Sequence, residues 1–503
     1  MLIRFMVENF LSFKDEVEFS MVAGESDEHP DHVTDIRDLR LLKTSVAFGA
    51  NQSGKSNLIR ALSYAQEFIT QGPSEAIDLK LVPFLLDSET SQKPSKFVFE
   101  IQCGLAQSFE YQFTVDNRRV HKESLHEILA DSTSMMFERV TDSQGKTNVK
   151  IGAVNVLVTN EENHFDFIRN FAPNELFLTA VNMEGNAGIS GDDDPDNGIA
   201  ANAYERDARL FIRRTPGTTL DLVASPSSPN RLESRIAFLD IIYDWFDRTL
   251  VPVFGDSIPI QGIGLGILKD MEFKNRLEDV LDFLDLGIDG VDLVPIEMDA
   301  ESVLSDEFRD FAKKNVPDIS EGSDEKAIFG YPGREDYILV DSNHDFSACR
   351  LVTLHKIKGK NRQVAFNLSA ESNGTRRLLQ LMPALLDLHS GKSDRVFVID
   401  ELDSSIHAHL TGKVIELFLA SAGNRENQLI VTSHDTGLLD LDLLRRDEIW
   451  FIEKDRNGAS SLYSLEEFRL PEKMNIEKGY LFGRFGAIPV SPSLESLDWL
   501  REA

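Results

Sequence analysis

The stretch Gly49-Ala50-Asn51-Gln52-Ser53-Gly54-Lys55-Ser56 fits the phosphate-binding pattern G-x-x-x-x-G-K-[ST] at every fixed position. Its flanks fit as well. Ser45-Val46-Ala47-Phe48 is an apolar run that reads as a buried strand, and Asn57-Leu58-Ile59-Arg60-Ala61-Leu62 places apolar residues at helical spacing. Strand, glycine loop and helix in that order aim backbone N–H groups and the positive end of a helix at one anion. The expected cradle is formed by Gly49, Asn51, Gln52, Ser53, Gly54 and Asn57. Lys55 would reach the β- and γ-phosphates of a nucleotide, and the Ser56 hydroxyl would ligate Mg²⁺. A glycine turn that happens to contain Lys-Ser would account for the loop but not for both flanks.

The second half of the chain supplies complementary parts. Arg395-Val396-Phe397-Val398-Ile399-Asp400-Glu401 reads as a buried strand ending in two carboxylates. Asp400 is placed to hold Mg²⁺, directly or through water, and Glu401 to orient or deprotonate an attacking water. Gln428-Leu429-Ile430-Val431-Thr432-Ser433-His434-Asp435 is another apolar strand, and it ends with His434 where a γ-phosphate would lie. Ser372-Asn373-Gly374-Thr375 opens an apolar helical run from Leu378 to Leu388 that Pro383 is expected to kink. The bland reading of this opening is an ordinary helix cap. The sharper one is a second anion cradle, Ser372 and Gly374 facing the γ-phosphate held by another subunit.

Composition bounds the rest. The 503 residues are too many for one ordinary core, and 42% apolar residues suffice for two or three. No apolar run reaches membrane-spanning length, and Met1-Leu2-Ile3-Arg4-Phe5 lacks the build of a signal peptide. Cys103 and Cys349 are the only cysteines, which excludes a disulfide framework or a cysteine zinc site. These features point to the cytoplasm. A formal charge of −32 opposes non-specific nucleic-acid binding unless basic residues concentrate locally. Arg118 to Lys122, Arg213-Arg214 and His355 to Arg362 are candidate patches, each more simply read as a solvated face or hairpin edge. Direct nucleic-acid contact is left open.

Along the chain, Leu2 to Phe10 and Val17 to Val22 alternate like strands, and Lys96 to Ile101 and Phe109 to Val115 predict an antiparallel layer to about residue 160. Gly191 to Gly198 reads as a charged linker. Arg231 to Leu286 has helical spacing, and Ser302 to Lys326 is acidic and loop-rich. Strands resume at Tyr337 to Val340 and Arg350 to His355. Asp440-Leu441-Asp442 has the Asp-x-Asp spacing of a nuclease metal site but reads as the surface of a helix with Leu438, Leu439, Leu443 and Leu444. The expected organisation is therefore an N-terminal lobe at 1–160, a helical and loop-rich insertion at 161–334 and a C-terminal lobe at 335–503.

The order glycine loop, Ser372 to Thr375, Asp400-Glu401, His434 resembles an ABC-type ATPase of the SMC/RecF/OLD group. Ser372 to Thr375 stands at the signature position, without its usual Gly-Gly-Gln ending. Leu402-Asp403-Ser404-Ser405 stands at the D-loop, His434 at the switch histidine, and no Q-loop glutamine is assigned. Asn9-Phe10 also resembles that group. Glu371 to Arg377, Glu401 to His407 and Gly483-Arg484-Phe485-Gly486-Ala487-Ile488-Pro489 are similar to RloA and AbiL-type ATPases of phage-defence loci. The resemblance implies an α/β ATPase head split between the two ends of the chain. It also implies ATP and Mg²⁺ as ligands, Lys55, Glu401 and His434 as catalytic groups, and a homodimer or higher oligomer sandwiching nucleotide. A separate effector, in such pairs often a TOPRIM-type nuclease, would be the partner. A RecF- or SMC-like repair ATPase and an OLD-like ATPase-nuclease are the alternatives.

Overall fold

The computed structural model describes residues 1–73, 81–103, 107–151, 173–180, 233–254, 263–264, 266–267, 271–296, 327–330, 336–340, 346–357, 359, 362–390, 394–423, 425–471 and 474–488. The chain opens with β1 (Leu2–Glu8) and β2 (Val17–Ser20), followed by a hairpin of β3 (Val33–Ile36) and β4 (Leu39–Leu42). β5 (Thr44–Phe48) then runs into the glycine loop, and α1 (Lys55–Gln71) leaves it, as the sequence predicts. The expected antiparallel layer follows in β6 (Ser95–Cys103), β7 (Gln107–Val115), β8 (Val120–Leu129), β9 (Ser132–Thr141) and β10 (Thr147–Ile151). With β1 and β2 these strands form a seven-stranded sheet of order β10-β9-β8-β7-β6-β1-β2.

In the middle of the chain the described residues include both helix and strand. α2 (Glu233–Asp244) and α3 (Met271–Phe283) are helices, but β11 (Leu250–Val253) lies between them. Four apolar residues carry no periodicity of their own, and β11 owes its form to the edge it pairs with. β12 (Gly290–Pro295) and β13 (Ala327–Gly330) join β14 (Asp336–Val340), β15 (Phe346–Lys356) and β16 (Gln363–Asn367) in a second antiparallel sheet. α4 (Asn373–Ser390) continues through Pro383. β17 (Val396–Ile399), α5 (Ala408–Ala422), β18 (Gln428–Ser433), β19 (Ile449–Lys454), β20 (Ser460–Ser464) and α6 (Ile476–Leu481) complete the described chain.

The two ends of the chain build one sheet of order β11-β17-β18-β5-β19-β20. β11, β17, β18, β5 and β19 are mutually parallel, and β20 is an antiparallel edge. Both faces are covered, which is why these strands read as continuous apolar runs. Ala47, Val396, Val398, Ile430, Trp450 and Ile452 enter one core, with α1 and the aromatic side chains of the seven-stranded sheet. Val46, Phe48, Phe397, Ile399, Leu429, Val431, Ile449 and Phe451 enter the other, with α4 and α5. In the first core Tyr64 and Phe68 of α1 stack along Phe97 and Phe113, fixing the helix against the antiparallel layer. Burying each such ring contributes roughly 1.5–3 kcal/mol.

Asp440-Leu441-Asp442 corrects the sequence expectation. It lies in a turn after a short 3₁₀ helix at Thr436–Leu438, and the Asp442 N–H donates to Asp440 Oδ1 at 3.0 Å. The local aspartate bond competes with helix formation, and four leucines alone could not outweigh it. Two basic stretches lie at hairpins: Asp116 caps the β7–β8 turn at Arg118 and Arg119, and Lys356 at the end of β15 pairs with Asp289. Arg213-Arg214, Gly191 to Gly198 and Ser302 to Lys326 lie outside the described residues. Both cysteines are buried free thiols, and no described helix is long and apolar enough to cross a membrane.

One buried side chain stitches the two ends together. Gln428, at the start of β18, accepts from the Leu2 N–H at 2.6 Å and donates to the carbonyls of Leu2 and Leu42, each at 3.0 Å. Removing it leaves three backbone groups without their partner in a dry site. Gln428→Ala should cost about 2–4 kcal/mol, read as a lower urea midpoint with an unchanged slope.

Candidate nucleotide site

The site is assembled at the carboxyl ends of β5, β17 and β18. The glycine loop closes through the Ser53 N–H to the Ala50 carbonyl at 3.1 Å, and Asn51 and Gln52 are exposed at its turn. Gly54 sits at φ 116°, in the left-handed region, and a Cβ there would meet Ser460 Oγ at 2.5 Å and Ser12 Oγ at 2.8 Å. Those two serines belong to the far ends of the chain. Ser460 donates to the Ser53 carbonyl at 2.6 Å, and Asn57 Nδ2 donates to Ser12 Oγ at 2.7 Å. The loop is thus clamped from both sides, and only glycine fits at the clamp. Ser56 stands in the first turn of α1.

Lys55 is buried at the loop, 4% exposed, and its ammonium donates to the carbonyls of Gly49 (2.7 Å) and Ala50 (3.0 Å). Burial brings its pKa down to about 8, against the raising influence of Glu401, Asp400 and Asp403. His434 Nδ1 lies 3.4 Å from Lys55 Nζ. Burial, and then the Lys55 charge, lowers the His434 pKa. A neutral ring that accepts from the ammonium at Nδ1 carries its proton on Nε2, available to a ligand oxygen. The His434 N–H is held by the Asp403 carboxylate at 3.1 and 3.2 Å.

Asp400 and Glu401 follow the last ladder residue of β17, as predicted. Asp400 is 8% exposed, and its Oδ1 accepts from Thr432 Oγ1 at 2.6 Å. Glu401 turns its carboxylate to the surface from a backbone at φ 49°. The chain reverses there, Ser404 N–H donating to the Glu401 carbonyl at 2.9 Å. A non-glycine residue in this region is uncommon and strained residues of this kind cluster at working sites.

Ser372 caps α4, its Oγ accepting from the Thr375 N–H at 3.1 Å, and it is exposed. Gly374 packs on the Ser405 carbonyl so closely that a Cβ would collide with it. Arg377, one turn on, donates to the Asp400 carbonyl at 3.2 Å. Among the described residues no hydrogen bond joins Ser372 or Gly374 to the glycine loop of the same chain. The structure therefore brings Lys55, His434, Asp400 and Glu401 together and seats the start of α4 against the Ser405 carbonyl. Ser12, Ser460 and Thr432 had no sequence signal, since each acts on the site only through a partner distant in the chain.

Whether these residues suit a nucleotide and its metal is tested by their chemistry. Ser53 Oγ is buried and has no hydrogen-bond partner, the Gly54 clamp brings bare backbone to the surface of the loop, and Lys55 supplies the cation. Asp400 and Ser56 provide hard oxygen donors suited to Mg²⁺. The set fits both groups.

One strand separates the glycine-loop strand from the Asp-Glu strand in the parallel sheet, and an antiparallel sheet lies over the loop helix, which is the fold expected of an ABC-type head. Its parts come from both ends of the chain. Residues 48–440 match the family described as "AAA domain, putative AbiEii toxin, Type IV TA system", and the chain belongs to that family. No curated protein matches the sequence. Among solved structures the chain is similar to the SMC head bound to the C-winged helix domain of ScpA (12% identity, TM-score 0.39, 92% of this chain and 97% of that one). It is also similar to the SMC head domain from Thermotoga maritima (12% identity, TM-score 0.34, covering 92% and 98%). A third likeness is to the recombination mediator RecF (11% identity, TM-score 0.33, covering 92% and 98%).

Because burial outweighs three carboxylates at Lys55, its charge should be lost as pH rises through about 8. Carbon-13 NMR of labelled lysine should show that midpoint, and Glu401→Gln should lower it further by removing a favourable charge. A midpoint at the ordinary lysine value of about 10.4 would contradict the burial argument.

Proposed function

We propose that the protein hydrolyses ATP and uses the cycle to dimerise and control a separate effector in anti-phage defence. The observation that carries the ATPase reading is the meeting of Lys55, Asp400, Glu401 and His434 at adjacent strand ends. Lys55 binds the β- and γ-phosphates, and the loop N–H groups of Gly49 to Asn57 hold the remaining oxygens. Mg²⁺ held by Ser56 and Asp400 would neutralise phosphate charge when bound. Glu401 orients the attacking water and accepts its proton, and His434 donates from Nε2 to the γ-phosphate.

In this reading residues 1–160 and 335–503 form the head. Ser372 and Gly374 complete the nucleotide site of a second copy, which suits an exposed Ser372 turn with no hydrogen bond to its own chain's loop among the described residues. The stretch 161–334 carries the surface that meets the effector. The likeness to RloA and AbiL-type ATPases and to OLD-group proteins supports a nuclease partner of TOPRIM type and a cytoplasmic setting.

The family description favours a second reading, in which the chain itself is the toxic component. Expression in cells without neighbouring genes separates the two. Tolerance supports the regulator, whereas growth arrest that disappears with Lys55→Ala supports the toxin.

Lys55→Ala should abolish ATP binding in a calorimetric titration. Glu401→Gln should keep binding, slow turnover by roughly 10²–10⁴-fold and accumulate a nucleotide-bound dimer visible by light scattering. Wild-type turnover in Glu401→Gln would place the base elsewhere, with His434 next.

A further inference from the structure

Thr432 lies in β18, between the glycine-loop strand and the carboxylate strand: it pairs with Ala47 of β5 on one side and stands one residue past the Ile399–Val431 pair on the other. The preceding Leu429, Ile430 and Val431 are apolar, and a valine would serve the packing of position 432 equally well. A hydroxyl there is fully buried, at 0% exposure, and costs stability unless both its functions are used. Both are. Oγ1 donates to Asp400 Oδ1 at 2.6 Å and accepts from the Glu401 N–H at 2.8 Å. The Thr432 carbonyl also accepts from the Leu402 N–H at 3.0 Å.

One side chain therefore touches the two residues whose geometry matters most. The bond to Oδ1 fixes the rotation of the Asp400 carboxylate, and among the described residues its Oδ2 has no protein hydrogen bond. The bond from the Glu401 N–H holds the backbone at φ 49°, the conformation that presents the Glu401 carboxylate at the surface of the site. An unsupported residue would relax from that region.

We propose that Thr432 is a positioning residue that sets the rotation of the Asp400 carboxylate, which would hold Mg²⁺, and the angle of Glu401 through one hydroxyl. The inference rests on the ATPase reading above. Thr432→Val keeps the branched shape and loses both bonds, so kcat should fall by roughly 10- to 100-fold. The Mg²⁺ concentration for half-maximal turnover should rise, while ATP affinity at saturating Mg²⁺ stays within about threefold, since Lys55 and the loop are untouched. Thr432→Ser restores the hydroxyl and should bring back kcat and the Mg²⁺ midpoint together.

Glu401→Gln is measured alongside. If it is slow while Thr432→Val turns over at the wild-type rate, the positioning role is overturned and the ATPase reading stands. If Glu401→Gln itself is fast, the reading beneath fails and the inference falls with it. Should Thr432→Val not fold, Thr432→Ala and Thr432→Ser decide the matter. A serine variant as slow as the alanine variant refutes a role for the hydroxyl, and a serine variant near wild type supports it.

Discussion

The width of one β-strand governs the site. β18 separates β5 from β17, so the glycine loop and the Asp400-Glu401 pair leave the sheet two strand spacings apart, roughly 9–10 Å. Were the two strands adjacent, Lys55 would meet the carboxylates directly and form an ion pair. With β18 between them, the gap is bridged at its floor by Thr432 and at its mouth by His434, both from the intervening strand and its end. The proposed chemistry needs such a gap, because a phosphoryl group and an ion must both lie between the cation and the acids.

The electrostatics of the site run against those of the molecule. The chain carries −32, which repels a polyphosphate at long range. Binding then rests on donors fixed at the loop: backbone N–H groups that carry no formal charge, and one buried lysine whose pKa is already lowered to about 8. An arriving anion would stabilise the lysine charge that burial opposes. The Lys55 ammonium spends its hydrogen bonds on the Gly49 and Ala50 carbonyls and lies against neutral His434. Its bonds are therefore to groups of the loop and its neighbour, which a ligand oxygen can replace without breaking an ion pair.

Much of this was legible in the sequence, and the reason is locality. The glycine loop, its strand and its helix are contiguous, and apolar runs ending in Asp-Glu or Ser-His announce strand ends wherever they fall. The antiparallel layer showed itself through period-two alternation in β6 and β7. β11 did not, since four apolar residues become a strand only beside Val396 to Ile399. Asp440 to Asp442 carries helical leucine spacing, but the aspartate side chain closes its own turn there. Ser12 and Ser460 clamp the loop from positions 448 residues apart, a separation no motif spans. Thr432 stands within a strand legible in the sequence, but nothing in the linear order says which neighbour a hydroxyl will choose.

The division of the central sheet between the chain's ends has a consequence for synthesis. β1, β2, α1 and β6 to β10 all precede residue 152 and share an aromatic core, so the antiparallel layer has its own material to condense on as it leaves the ribosome. β5 does not. Both its neighbours, β18 and β19, are made some 380 residues later, a wait of about 20–75 s at ordinary elongation rates. During that interval a short apolar strand has open edges on both sides and must be kept from pairing with other chains. A message cut before the codons for β18 would yield a polypeptide with the complete glycine loop and no parallel neighbour for the strand that leads into it.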